Sequence, residues 1–271
     1  MEVPLTLRPF VIRVALLAGC SCCVGFAQQN PATHTGPAIK IVLVGDSTVA
    51  TGGGWGPGFC ATVTPNVTCV DLAANGRSSK SYIDEGLWTK ALAEKGQYYF
   101  FQFGHNDQKP DLKRHTDPDT TYAANLRRYI SEARAIGATP ILVTPLSRRN
   151  YKDGQLIVDP LKLYAAAMRN VATEEKVTLI PLYTQSTRLL QGMTQDQADQ
   201  FDAIDHPDAV AEGAHGSKPD RTHLNAHGKA FFGRMVADDV VREVAPLRPD
   251  IAPDAAHAGA VSAKSLHGTA Q

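Results

Sequence analysis

The sequence predicts an α/β fold: a three-layer α/β/α sandwich with a central, mostly parallel five-stranded sheet. Three observations predict it. Short, continuous apolar runs rich in β-branched and aromatic residues recur along the chain, as strands buried on both faces require. Stretches with helical apolar spacing lie between them, which argues for parallel strands joined by right-handed crossovers. Polar and glycine-bearing segments follow several of the runs, where an open parallel sheet places its ligands.

The elements follow in order. Residues 1–27 read as a signal peptide: Arg8 and Arg13 make a positive start, an apolar stretch follows, and Gly25 and Ala27 satisfy the small-x-small cleavage rule. A buried first helix is the competing reading. Leu17-Ala18-Gly19-Cys20 also has the form of a bacterial lipoprotein box, which would leave Cys20 lipidated. Only residues 14–19 would then serve as the apolar stretch, so plain secretion is preferred. Residues 28–38 are polar and aperiodic, hence a linker. The strands are expected at 39–44, 69–73, 98–103, 140–144 and 177–182. The helices are expected at 79–95, 119–136, 160–173 and 222–244, with Gly137 ending the second and Pro160 opening the third. The domain spans 39–247. From Arg248 the chain is rich in Ala, Pro, Gly, Ser and His, and residues 248–271 are expected to be a disordered tail.

Composition narrows the function. With 271 residues, 43% apolar and 20% charged, the chain is long enough to bury a core without metals or disulfides. Lys+Arg and Asp+Glu balance at 27 each, so no general attraction to nucleic acid or anionic membrane follows. Cleavage after Ala27 removes Cys20, Cys22 and Cys23. Cys60 and Cys69 then remain in an oxidising compartment, either bridged or as two buried thiols.

The strand ends carry the chemistry. After the first strand stands Gly45-Asp46-Ser47-Thr48. It is no dinucleotide fingerprint or P-loop, and Val49 breaks the Gly-x-Ser-x-Gly elbow. A serine at a sharp strand-to-helix turn has its N–H aimed at a pocket; helix capping by Asp46 or Ser47 is the plainer alternative. After the second strand comes Ala74-Asn75-Gly76-Arg77-Ser78, either a ligand-approaching turn or a turn into a helix capped by Ser78. After the third comes Gly104-His105-Asn106-Asp107, where the Asn106 carboxamide can donate to an oxyanion, or serve a turn, and His105 can make a structural hydrogen bond. Asp220-Arg221-Thr222-His223 precedes the last helix. Asp and His three apart can be neighbours on one turn, with the carboxylate fixing the imidazole tautomer, or they are a capping Asp and an incidental His.

These four segments together resemble the SGNH (GDSL) hydrolase superfamily, in order and in strand-end placement, from about Ile39 to Val244. Gly45-Asp46-Ser47-Thr48-Val49, Asn75-Gly76-Arg77-Ser78-Ser79-Lys80-Ser81, Phe103-Gly104-His105-Asn106-Asp107, Thr144-Pro145-Leu146-Ser147-Arg148-Arg149 and Asp220-Arg221-Thr222-His223-Leu224-Asn225 are similar to the rhamnogalacturonan acetylesterase branch. The resemblance implies a flavodoxin-like SGNH hydrolase fold and a secreted or periplasmic serine esterase. Its substrate would be an acetylated polysaccharide or oligosaccharide of the plant cell wall, rhamnogalacturonan before acetylated xylan or other sugars. In that reading Ser47, His223 and Asp220 are the nucleophile, base and orienting acid. The Ser47 and Gly76 N–H groups and Asn106 form the oxyanion hole. No metal or organic cofactor is needed, the enzyme acts as a monomer, and no membrane is involved unless Cys20 is lipidated.

Trp55, in the glycine-rich loop after Ser47, is a candidate sugar-stacking residue, with core packing as the alternative. Arg148 and Arg149 follow the fourth strand and are candidate contacts for uronate carboxylates, with plain surface arginines in a loop as the alternative. Three rival functions remain at this point. One is a divalent-metal enzyme using Asp205, His206, Asp208, His215, Asp220 and His223, although these lack a recognised ligand spacing. The others are a glycan-binding module and a lipase or thioesterase of the same superfamily.

Overall fold

The computed structural model describes residues 37–203 and 220–253. The segments 1–27 and 28–36 and the tail from 254 lie outside them, as do Asp205, His206, Asp208 and His215 of the metal reading. In chain order the strands are β1 (Ile39–Gly45), β2 (Val67–Asp71), β3 (Tyr98–Gln102), β4 (Thr139–Val143), β5 (Tyr151–Lys152), β6 (Gln155–Leu156), β7 (Thr178–Ile180), β8 (Asp202–Ala203) and β9 (Asp220–Leu224). The helices are α1 (Gly56–Cys60), α2 (Ser79–Asp84), α3 (Leu87–Leu92), α4 (Ala123–Ala135), α5 (Leu161–Glu174), α6 (Leu182–Gln191), α7 (Gln195–Asp199) and α8 (Ala226–Glu243).

The central sheet has the order β2-β1-β3-β4-β7, and every pairing in it is parallel. The expected sheet is therefore present, and wholly rather than mostly parallel. Successive side chains of a strand point to opposite faces. In β1, Ile41 and Leu43 enter one core, with Phe59, Phe100, Phe232 and Val236. Val42 and Val44 enter the other, with Trp88, Phe101, Tyr129 and Met168. Both faces are covered by helices, which gives the three layers and explains the continuous apolar runs.

Local chemistry accounts for the departures from expectation. The stretch 79–95 is two helices, because Gly86 has φ 73° and stops the first. Ser78 caps α2 in a reciprocal capping box with Ser81. A π-turn, Pro118–Tyr122, precedes α4. Residues 220–224 form a strand, and the last helix begins only after Asn225, whose side chain accepts from Gly228 N at 2.9 Å. Helix α6 had no counterpart in the reading of periodicity. Its buried residues are only Leu182, Ser186 and Leu190, a stripe interrupted by a hydroxyl.

Two closures shape the amino-terminal edge of the sheet. Cys60 and Cys69 form a disulfide with Cα atoms 5.5 Å apart, joining α1 to β2. The boundary expected at 247 falls short. A 3-10 turn spans Ala245–Asp250, Ile251 is buried and bridges Val63, and Ala252 N donates to Thr62 O at 2.7 Å. Asn66 Nδ2 reaches Pro37 O at 3.3 Å and Asp250 Oδ1 at 3.4 Å, drawing both ends of the described domain together.

Candidate active site

The order β2-β1-β3 sets three loops side by side at the carboxyl edge of the sheet. Ser47 follows β1, Gly76 follows β2 and Asn106 follows β3. Their adjacency is fixed by backbone bonds, Ala74 N to Gly45 O at 2.9 Å and Asp46 N to Gln102 O at 3.3 Å.

The turn that carries Ser47 is built from buried polar groups. Asp46, fully buried, accepts from Thr48 N at 2.9 Å and Thr48 Oγ1 at 2.7 Å. Gln102 Nε2 donates to Thr48 Oγ1 at 2.6 Å, and Trp55 Nε1 donates to Gln102 Oε1 at 2.7 Å. His105 Nδ1 lies 3.4 Å from Thr48 Oγ1 and 3.6 Å from Asp46 Oδ2. Burial opposes the charge of Asp46, yet His105 and the Thr48 donors hold its carboxyl below the ordinary range; burial pushes the His105 imidazole down. His105 thus has a structural hydrogen-bonding role.

His223 meets Ser47 across the fold. Its Nε2 is 2.8 Å from Ser47 Oγ, and its Nδ1 is 2.6 Å from Asp220 Oδ2. The other oxygen of Asp220 accepts from Thr222 N at 2.9 Å and His223 N at 3.0 Å. Burial raises this carboxyl, but the side-chain and backbone donors of His223 outweigh it and hold it well below the usual carboxylate range. Asp220 therefore stays ionised and fixes the tautomer with Nδ1–H toward itself, leaving Nε2 to accept the serine proton. The spacing was read as one turn; the pair instead sits on β9, where the Asp220 side chain folds back onto the backbone of 222 and 223.

Gly76 has φ 73°, a conformation costly for other residues, and Asn106 Nδ2 donates to Arg77 O at 3.1 Å, orienting the carboxamide beside that loop. Behind it, buried Asp107 accepts from Ser79 N at 3.1 Å and Thr116 Oγ1 at 2.8 Å, and also from Ser79 Oγ. Burial pushes the Asp107 carboxyl up to about 7.

Two expected substrate contacts are corrected. Trp55 is fully buried and packs edge-on against Phe59 at 6.1 Å, with its only polar atom spent on Gln102, so no sugar ring can stack on it. Arg149 is also fully buried, paired with Asp202 and bonded to His223 O at 2.6 Å. Arg148 keeps 18% of its side chain exposed, held by Asp159 Oδ2 at 2.9 Å and Thr222 Oγ1 at 3.3 Å, beside β9. Reading by sequence missed Gln102 and Asp202, and it gave Thr48 and Asp107, though they stand in the singled-out segments, no role of their own. The only signal was that polar Gln102 sits within an apolar run. Among the described residues no group of three or more His, Cys, Asp or Glu could hold a metal, and Asp220 and His223 face each other and Ser47 instead.

The chain matches the model of the GDSL-like lipase/acylhydrolase family over residues 43–231. It is 33% identical over 223 residues to a protein of Bacillus subtilis named probable rhamnogalacturonan acetylesterase YesY, covering 79% of this chain and 98% of that one. It is 31% identical to rhamnogalacturonan acetylesterase RhgT of the same organism, over 78% of this chain and 93% of that one. Among solved structures, the Bacillus subtilis protein YxiM shares the fold at TM-score 0.61 and 22% identity, over 75% of this chain; this chain spans just over half, 56%, of that protein's. A variant of Axe2, an acetyl-xylooligosaccharide esterase from Geobacillus, shares it at TM-score 0.56 and 19% identity, over 76% of this chain and 95% of that one.

Proposed function

The chain belongs to the GDSL-like lipase/acylhydrolase family and is a carboxylic ester hydrolase, and from that premise we propose that it removes O-acetyl groups from plant cell-wall polysaccharide, with rhamnogalacturonan as substrate. The observation that carries the mechanism is the relay Ser47 Oγ, His223 Nε2, His223 Nδ1, Asp220 Oδ2, with separations of 2.8 and 2.6 Å. Support for the substrate comes from the two relatives named for rhamnogalacturonan, each matched over more than nine-tenths of its length.

His223 Nε2 takes the proton as Ser47 Oγ attacks the acetyl carbonyl. Asp220 stabilises the imidazolium that forms. The Ser47 and Gly76 N–H groups and Asn106 Nδ2 receive the oxyanion. His223 then gives the proton to the departing sugar hydroxyl, leaving acetyl-Ser47. Water, deprotonated by His223 in turn, releases acetate and restores the serine. The residues of this relay call for no cofactor. Arg148 would face a uronate carboxylate next to the acetylated sugar.

Export belongs to the same reading. The segment 1–27 supports secretion to the medium or periplasm, with a lipid anchor at Cys20 as the alternative, and the Cys60–Cys69 bridge suits an oxidising compartment. The decisive experiment is acetate release from a panel of acetylated pectins and xylans, with Ser47→Ala as control. Release from rhamnogalacturonan well above xylan supports the reading; equal release, or preference for octanoyl over acetyl esters, overturns the substrate.

A further inference from the structure

The base and its orienting acid sit on a weakly supported strand. Among the described residues the β8–β9 ladder pairs Asp202 with Leu224 and Ala203 with Asp220 and is irregular between them, and Leu224 N adds a bond to Gly53 O at 2.8 Å. So short a ladder does not hold its register by itself. Yet the relay needs His223 placed to a fraction of an ångström, since small misplacements cost large factors in rate.

One residue reaches three successive parts of that strand. Arg149 donates its backbone N–H to Arg221 O at 3.0 Å, and its Nη2 to His223 O at 2.6 Å and Asp220 O at 3.4 Å. Its Nε pairs with the Asp202 carboxylate on β8. Both side chains are buried, 0% and 1% exposed. Gln195 Nε2 holds the Arg149 carbonyl from α7 at 3.2 Å. A buried ion pair is a poor stabiliser, because desolvation cancels most of the attraction. The guanidinium does what an apolar side chain could not: from one plane its Nη2 bonds the carbonyls of Asp220 and His223 while its Nε meets the carboxylate that neutralises it.

We infer that Arg149, neutralised by Asp202, is a positioning residue that clamps the Asp220–His223 strand so that the imidazole meets Ser47. The inference rests on the serine-esterase reading above but not on the identity of the glycan. It contacts no substrate, and it acts through two backbone carbonyls.

The test compares Arg149→Lys, and Arg149→Met combined with Asp202→Leu, with the parent enzyme. Three quantities are read: the thermal midpoint, the rate at which a fluorophosphonate labels Ser47, and kcat and KM on p-nitrophenyl acetate. The low-field proton NMR signal of the His223 Nδ1–H is a fourth. The double variant removes the buried charges together, so it should keep a midpoint near the parent's. Labelling and kcat should nevertheless fall about tenfold or more, with KM unchanged and the low-field proton lost. Arg149→Lys keeps the charge but not the fork, and should show the same loss. Parental labelling and kcat in the folded double variant would reduce the pair to core filling and overturn the inference. So would a rise in KM at constant kcat, which marks a substrate contact. Labelling and the proton signal need no glycan. A parent that spares every acetylated polysaccharide would therefore refute the proposed substrate and leave this result standing.

Discussion

The two halves of the relay are built differently. Ser47 follows an interior strand of a five-stranded parallel sheet, on a turn built with the buried polar side chains of Asp46, Thr48, Gln102 and His105. Asp220 and His223 stand on a strand paired over two residues at the margin, tied down by side chains from elsewhere in the chain. The sheet gives the nucleophile its position through packing that the whole core shares. The base owes its position to a few specific contacts. Changes around the nucleophile should therefore cost stability first, whereas changes around the base should cost alignment first.

The contrast can be broken or sharpened by substitution. The largest effect belongs to Ser47→Ala, which removes the nucleophile and should lower turnover by about 10⁶-fold; acetate release near the parental rate would end the serine mechanism. Asp220→Asn should cost about 10⁴-fold in kcat with the fold intact, because an amide favours the wrong imidazole tautomer. A loss below tenfold would mean that the backbone contacts alone orient His223. Asn106→Ala, on the nucleophile side, removes one oxyanion donor, worth about 2.7–4 kcal/mol, so kcat should fall by about 10²–10³. Unchanged turnover would place the oxyanion elsewhere.

Asp107 tests stability rather than rate. Its carboxyl is raised to about 7 in the folded state from 3.8, so the folded protein binds this proton more tightly than the unfolded chain does. Below pH about 4 both states are protonated and nothing is lost. As pH rises from about 4 to about 7 the unfolded state ionises first and stability declines, levelling off above 7. Asp107→Asn, which resembles the protonated acid, should flatten that decline in urea melts taken from pH 4 to 8; parallel curves for parent and variant would contradict it. The smallest effect is expected from Arg148→Glu, a shift in preference from uronate-bearing toward neutral acetylated glycans. An unchanged ratio of kcat/KM values removes Arg148 from substrate recognition.

What the sequence made legible follows the same division. Ser47, Gly76 and Asn106 could be placed at one edge because parallel strands deliver their ligands there and an apolar run ending in polar residues marks it, but their roles came only with the family resemblance of the four segments together. Asp220 and His223 could be found because they are three residues apart. Their setting was misread, since Asp-x-x-His suits one helical turn and also an extended strand whose aspartate folds back. Trp55 and Arg149 could not be placed. A tryptophan in a glycine-rich loop and an arginine after a strand look exposed until their partners are known, and those partners lie 47 and 53 residues away in Gln102 and Asp202. The resemblance led to the right family, yet two of the three residues read as sugar contacts from their place after a strand, Trp55 and Arg149, belong to the interior.

Asn66 gathers Pro37 and Asp250 at the amino-terminal edge of a wholly parallel sheet, and Ser47 and His223 occupy the opposite rim. Chain entry and chain exit therefore share one pole of the domain. An attachment made at Pro37 or at Pro253 would sit at the pole away from Ser47 and His223, and would leave the rim that carries them unobstructed.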